Sequence, residues 1–82
     1  MWAAHENTFG EVLNGLKQGF CADRKGWNRP GMYIGIQFPD ENSKMTQPYI
    51  FMYTATGDLV PWLASQTDML TNDWRIMVED RY

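Results

Sequence analysis

Thr8-Phe9-Gly10-Glu11 opens the one sustained stretch of helical spacing in this chain, and that stretch decides what the remainder must become. The Thr8 hydroxyl is placed to accept from the third helical amide while the Glu11 carboxylate reaches back, the reciprocal pattern of a capping box. Phe9, Val12, Leu13 and Leu16 then recur at helical intervals and form one apolar face. Gly15 weakens the helix, and Gly19 stands where a left-handed residue stops it after roughly three turns. A lone amphipathic helix must bury its apolar face against something else. The short alternating segments that follow are its only partner.

Phe20-Cys21-Ala22-Asp23 reads as a short strand, and Arg24 to Gly31 as a loop punctuated by two Gly and one Pro. Met32 to Phe38 is a clear strand. Pro39 to Pro48 is polar and reads as a solvated excursion. Tyr49 to Thr54 is the next strand, Ala55-Thr56-Gly57-Asp58 a hairpin turn in which Gly57 supplies the positive φ, and Leu59-Val60-Pro61 the return. Pro61 has no amide donor and marks the exit from the sheet. Ser65 with Asp68 three residues later resembles a second N-cap, opening a helix of two turns at most. From Trp74 to Glu79, Trp74, Ile76 and Val78 alternate with Arg75, Met77 and Glu79, as in a half-buried strand. The sum is an α+β fold: an antiparallel sheet of four to five strands, one N-terminal amphipathic helix and a short helix before the last strand.

At 82 residues the chain is a single domain, 1–82, with 1–7 expected to fray. Hydrophobic residues make up 44% and charged residues 21%, too apolar for disorder. No apolar run approaches the ~20 residues of a membrane helix. Met1 to Asn7 carries an acid and a His in place of a basic flank and apolar stretch, so a cytoplasmic location is expected. Cys21 alone makes no internal disulfide, and with a single His there is no structural zinc set. A net charge of -3 argues against a dedicated DNA or RNA binder, whose affinity comes from neutralising phosphates. With disulfides and metals set aside, a chain this small gains support most readily from self-association, and four Trp, four Tyr and four Phe supply the surface.

Catalytic chemistry finds no foothold in these residues. His5 is the single imidazole and falls in the segment expected to fray, as a solvent-exposed bystander. Cys21 lies in a strand, where cysteine behaves as a small hydrophobe. Asp68 and Asp73 flank the short helix, the normal place for capping carboxylates. No metal-ligand spacing, nucleophile elbow or phosphate loop occurs, so no catalytic residue, metal or cofactor is expected.

Two segments combine aromatic rings with hydrogen-bonding groups. Around Trp27, three of the seven bases fall within six residues (Arg24, Lys25 and Arg29), with Asn28 beside them. Charge-assisted donors suit a phosphate and the indole suits a purine face. The other reading is a basic turn whose Trp27 plugs the core, and the residues leave both open. In Pro61 to Leu70, Trp62 precedes Ser65, Gln66, Thr67 and Asp68 at a helix start, where amides attract anions and a carboxylate can take ribose hydroxyls. Its alternative is a capped surface helix with Trp62 in the core. A net acidic chain that gathers its bases on one aromatic loop suits a small phosphorylated nucleotide better than a polymer.

Phe9-Gly10-Glu11-Val12-Leu13 through Gly19, Arg24-Lys25-Gly26-Trp27-Asn28, Gly31-Met32-Tyr33-Ile34, Thr54-Ala55-Thr56-Gly57 and above all the run Leu59 to Leu70 followed by Asp73-Trp74 form a distinctive signature. Over roughly residues 8–79 it resembles a small phage and prophage domain that includes the second class of Thoeris anti-defence proteins. The chain departs from that pattern at Asn28-Arg29-Pro30-Gly31, where other members often carry Gly and Lys after the Asn, and in its shorter 39–48 excursion. The resemblance implies a sponge, not an enzyme, acting in the host cytoplasm. Such proteins bind a TIR-derived cyclic ADP-ribose isomer, glycocyclic ADP-ribose, without cleaving it, as homotetramers with pockets between subunits. Some members also take up cyclic dinucleotides at a separate site. Carried onto this sequence, Trp27 or Trp62 would stack the base, and Arg24 with Ser65, Gln66 and Thr67 would hold phosphate. Asn28 and Asp68 would hold base or ribose. A hydrolase of the same signal and a ligand-free structural oligomer of a phage are the competing readings.

Overall fold

The computed structural model describes residues 5–27 and 31–77. Helix α1 spans Phe9–Lys17, capped by Thr8, whose hydroxyl accepts from the Glu11 amide at 3.2 Å while its own amide donates to the Glu11 carboxylate at 2.8 Å. The helix ends as expected. Gly19 has φ 93, and the Gly19 and Phe20 amides donate to the carbonyls of Leu16 and Gly15, both at 3.0 Å. This left-handed turn satisfies two carbonyls that the last helical turn leaves open.

Five strands follow: β1 (Cys21–Arg24), β2 (Tyr33–Gln37), β3 (Tyr49–Tyr53), β4 (Leu59–Pro61) and β5 (Trp74–Met77), with α2 (Gln66–Leu70) between the last two. They form one antiparallel sheet in the order β4-β3-β2-β1-β5. The hairpin between β3 and β4 turns where expected, with Gly57 at φ 91 and the Thr54 amide donating to Asp58 at 2.8 Å. Pro61 ends β4, and the Trp62 amide makes one further ladder bond to Ile50 at 3.0 Å.

Three details differ from the sequence reading. Arg24 belongs to β1, because it pairs with Trp74 in the β1–β5 ladder. Asn7, placed in a fraying segment, exchanges backbone hydrogen bonds with Trp74 at 2.9 and 3.3 Å. His5, read as a bystander, lies half-buried with Nε2 3.4 Å from the Asp23 carboxylate. Val78 and Glu79, read as the end of the last strand, lie outside the described residues.

Alternation along the strands gives the sheet two unlike faces. Ala22, Ile34, Ile36, Ile50, Met52, Trp74 and Ile76 meet Val12 and Leu16 of α1 on one face. On that side α1 comes so close to β5 that a side chain at Gly15 would sit 3.3 Å from Ile76. The opposite face carries Asp23 paired with Arg75, and the stacked rings of Tyr33 and Tyr53, 4.9 Å apart. Val12, Leu16, Ile34 and Trp74 are fully buried, each worth about 1.5–3 kcal/mol of apolar transfer.

Leu16→Ala should therefore cost about 3 kcal/mol and Thr8→Ala about 1 kcal/mol, read from urea midpoints. A Leu16→Ala cost below that of Thr8→Ala would contradict this placement of the α1 face.

Candidate functional site

The two segments singled out in the sequence meet. Trp27, in the turn after β1, and Trp62, just after β4, pack edge-on to one another at 6.4 Å. Both lean on Trp74 at the start of β5, at 5.3 Å and 6.1 Å, and Phe9 of α1 closes the cluster at 5.5 Å from Trp74. Near-perpendicular rings are the favoured arrangement for aromatic quadrupoles. Trp74 is fully buried, whereas Trp27 and Trp62 are half-buried and keep part of each indole at the surface. Each therefore packs against the core, as one reading held, and also borders solvent, as the other required.

A polar network runs beside the rings. Arg24 Nη1 donates to Asp68 at 2.7 Å, and Arg24 Nε and Nη2 donate to the two Asp73 oxygens at 2.9 and 3.4 Å. Asp73 also accepts from the Gly26 amide at 2.9 Å and the Thr71 hydroxyl at 3.1 Å. Asp68 completes the α2 capping box with Ser65: its second oxygen accepts from the Ser65 amide at 2.9 Å, and its amide donates to the Ser65 hydroxyl at 3.0 Å. The Asp68 carbonyl takes the Trp74 indole N–H at 2.8 Å.

The titration behaviour follows from these contacts. Burial pushes the Asp68 carboxyl up, but the Ser65 amide, Arg24 and the Ser65 hydroxyl outweigh it and hold it below the ordinary 3.8. The Arg24 hydrogen bond lowers Asp73 against the opposing effect of burial. The Asp73 hydrogen bond in turn raises Arg24. Both carboxylates thus stay ionised around one cation.

This geometry bears on each expected site residue. Arg24, expected against phosphate, is bound to Asp68 and Asp73, with its side chain only 12% exposed. Asp68, expected on base or ribose, is buried, and both its oxygens are engaged. Ser65 is occupied in the capping box. Gln66 and Thr67 remain exposed at the start of α2. Asn28 lies outside the described residues. Asp73 and Trp74 were missed as organisers. Their adjacency just ahead of a strand was visible, but Asp73 was read only as a cap. Elsewhere, burial pushes the Cys21 thiol up to about 11, which leaves it an inert packing group.

A family model described as the Thoeris anti-defense 2-like domain matches residues 7–77. The chain belongs to that family. Thoeris anti-defense 2 of Bacillus phage SP01 is 34% identical over 83 residues, covering 85% of this chain and 93% of that protein. The Thoeris anti-defense 2-like match runs from the residue before Thr8 to the end of β5, so the aromatic cluster and the Arg24 network both lie inside the family domain. Membership supports an anti-defence role. No helix among the described residues is long and apolar enough to cross a membrane.

The lowered carboxyls set the acid behaviour. Their contribution to stability is complete above the ordinary 3.8 and is lost as pH falls below it through the folded-state values. Asp73→Asn should cost about 2 kcal/mol at neutral pH. Its urea midpoint should also fall less steeply with acid than that of the parent. Parallel acid limbs would contradict the assignment.

Proposed function

We propose that this protein is a sponge: it binds a TIR-derived cyclic ADP-ribose isomer, glycocyclic ADP-ribose, without cleaving it, and so keeps the signal from the Thoeris effector. The observation that supports this most is the convergence of the Trp27 turn and α2: half-buried Trp27 packs against Trp62, Arg24 next to that turn reaches Asp68 of α2, and Gln66 and Thr67 of α2 are exposed. Indole surface suits the base, and the amide and hydroxyl suit ribose and diphosphate oxygens. Sequestration needs tight binding and slow release, not stabilisation of a transition state; nanomolar affinity corresponds to about -12 kcal/mol.

Capture fits the chemistry better than hydrolysis. Asp68 and Asp73 are held as ionised partners of Arg24, so neither is poised to donate a proton. The single His lies against Asp23, which alternates to the face of the sheet opposite Arg24.

The sponge is a homotetramer with pockets between subunits. Support comes from the exposed apolar residues of β4, α2 and the segment between them: Val60, Leu63, Met69 and Leu70. A neighbouring copy seated there would remove Leu63 and Leu70 from water and close the open side of the pocket. Each leucine buried would contribute about 1.5–3 kcal/mol. Cyclic dinucleotides made by a second kind of defence enzyme are further ligands, at a separate site.

The test is incubation with lysate from cells carrying an active TIR enzyme, then heat release and mass spectrometry. The released compound should be the intact cyclic isomer. A linear ADP-ribose product, or no retained nucleotide, would contradict the reading. Gln66→Ala and Thr67→Ala should each weaken capture about tenfold, the equivalent of 1.4 kcal/mol, with an unchanged melting temperature. Sedimentation should give four chains per particle, and a monomer at micromolar concentration would overturn the tetramer.

A further inference from the structure

Resting on the reading that the Trp27 turn and α2 form the ligand pocket, we propose that Arg24 is a positioning residue. It locks these two parts into one unit and, among the described residues of the turn, leaves contact with an anionic ligand to Lys25.

The geometry carries this. Arg24 is the shared partner of Asp68, inside α2, and Asp73, whose second oxygen receives the Gly26 amide. The Asp73 carbonyl takes the Lys25 amide at 3.0 Å, and the Arg24 carbonyl takes the Trp27 amide at 3.2 Å. Every backbone amide from Lys25 to Trp27 thus ends on Arg24 or Asp73. The fit is tight as well: a side chain at Gly26 would meet both Arg24 Nη2 and Asp73 Oδ2 at 3.0 Å. The planar guanidinium spans two carboxylates at once, which an ammonium does not reproduce.

Charge decides what Arg24 does not do. One cation faces two ionised carboxylates, so the cluster is net negative and repels an approaching phosphate. To reach the guanidinium, a phosphate would have to displace Asp68 or Asp73. Displacing Asp68 would leave a carboxylate only 11% exposed without its cation. Arg75 is engaged with Asp23 on the opposite face. Lys25 is exposed, belongs to the turn itself and has its backbone fixed by Asp73.

The experiment compares Arg24→Gln, Asp73→Asn and Lys25→Gln in the full chain. In the unliganded protein, amide exchange across residues 66–70 and at Gly26 should accelerate together, about tenfold or more, in Arg24→Gln and Asp73→Asn, and stay at the parent rate in Lys25→Gln. Unchanged exchange in Arg24→Gln, or acceleration in only one of the two segments, would overturn the coupling. Affinity for glycocyclic ADP-ribose is then measured over a salt series. Arg24→Gln should weaken binding about tenfold with the parent's salt dependence, whereas Lys25→Gln should flatten that dependence. Flattening by Arg24→Gln with Lys25→Gln like the parent would place the guanidinium on the ligand and overturn the proposal. If Arg24→Gln fails to fold, Gly26→Ala, which crowds the same contact while keeping every charge, should show the same paired acceleration; parent-like exchange in it would overturn the coupling. A parent chain that binds no glycocyclic ADP-ribose counts against the sponge, and the exchange arm still decides the role of Arg24.

Discussion

The buried indole of Trp74 is the contact on which this small fold depends. It starts β5, receives Asn7 and Arg24 as backbone neighbours, and lies beneath Phe9, Trp27 and Trp62. Its N–H finds the Asp68 carbonyl inside α2. A buried donor without an acceptor costs about 1–3 kcal/mol, so burying the ring where it packs best also dictates where α2 must sit. One side chain thereby ties the N-terminal helix, an edge strand and the short helix together. That economy suits a chain with one nine-residue helix and one five-residue helix beside a five-stranded sheet.

Around that ring the polar groups divide into two kinds. Arg24, Asp68, Asp73 and Ser65 satisfy one another and hold local geometry. Gln66, Thr67 and Lys25 stay exposed, and Trp27 and Trp62 are half-buried. An anti-defence protein that works by capture needs a pocket ordered before its ligand arrives, because ordering side chains during binding subtracts from affinity. The internally paired set provides that order, and the exposed set is left available for contact. In the sponge reading, neighbouring copies close what a single chain leaves open.

Much of the fold was legible because its signals are local. The capping boxes at Thr8 and Ser65, the glycines at 19 and 57 and the strand read over Tyr49 to Thr54 each depend on residues within a few positions; the caps and glycine turns are where they were read, and the strand runs Tyr49–Tyr53. What was not legible is long-range. Arg24 and Asp73 are 49 positions apart, and Arg24 and Asp68 are 44 apart, so nothing in the spacing announces that the expected phosphate ligand and the expected ribose ligand are each other's partners. The bases around Trp27 can be counted in a sequence, but the pairing of Arg24 with two distant carboxylates cannot. Leu59 to Leu70 and Asp73-Trp74, on which the resemblance was read, also supply Trp62, α2 and the partners of Arg24.

The central claim is that this corner retains a cyclic nucleotide signal whole. The most direct measurement is a crystal structure of the protein grown with glycocyclic ADP-ribose. The account predicts an unbroken ring seated against Trp27 or Trp62 and the start of α2, with a neighbouring chain closing over it. Density for an opened ring, or a ligand bound away from both tryptophans, would contradict it.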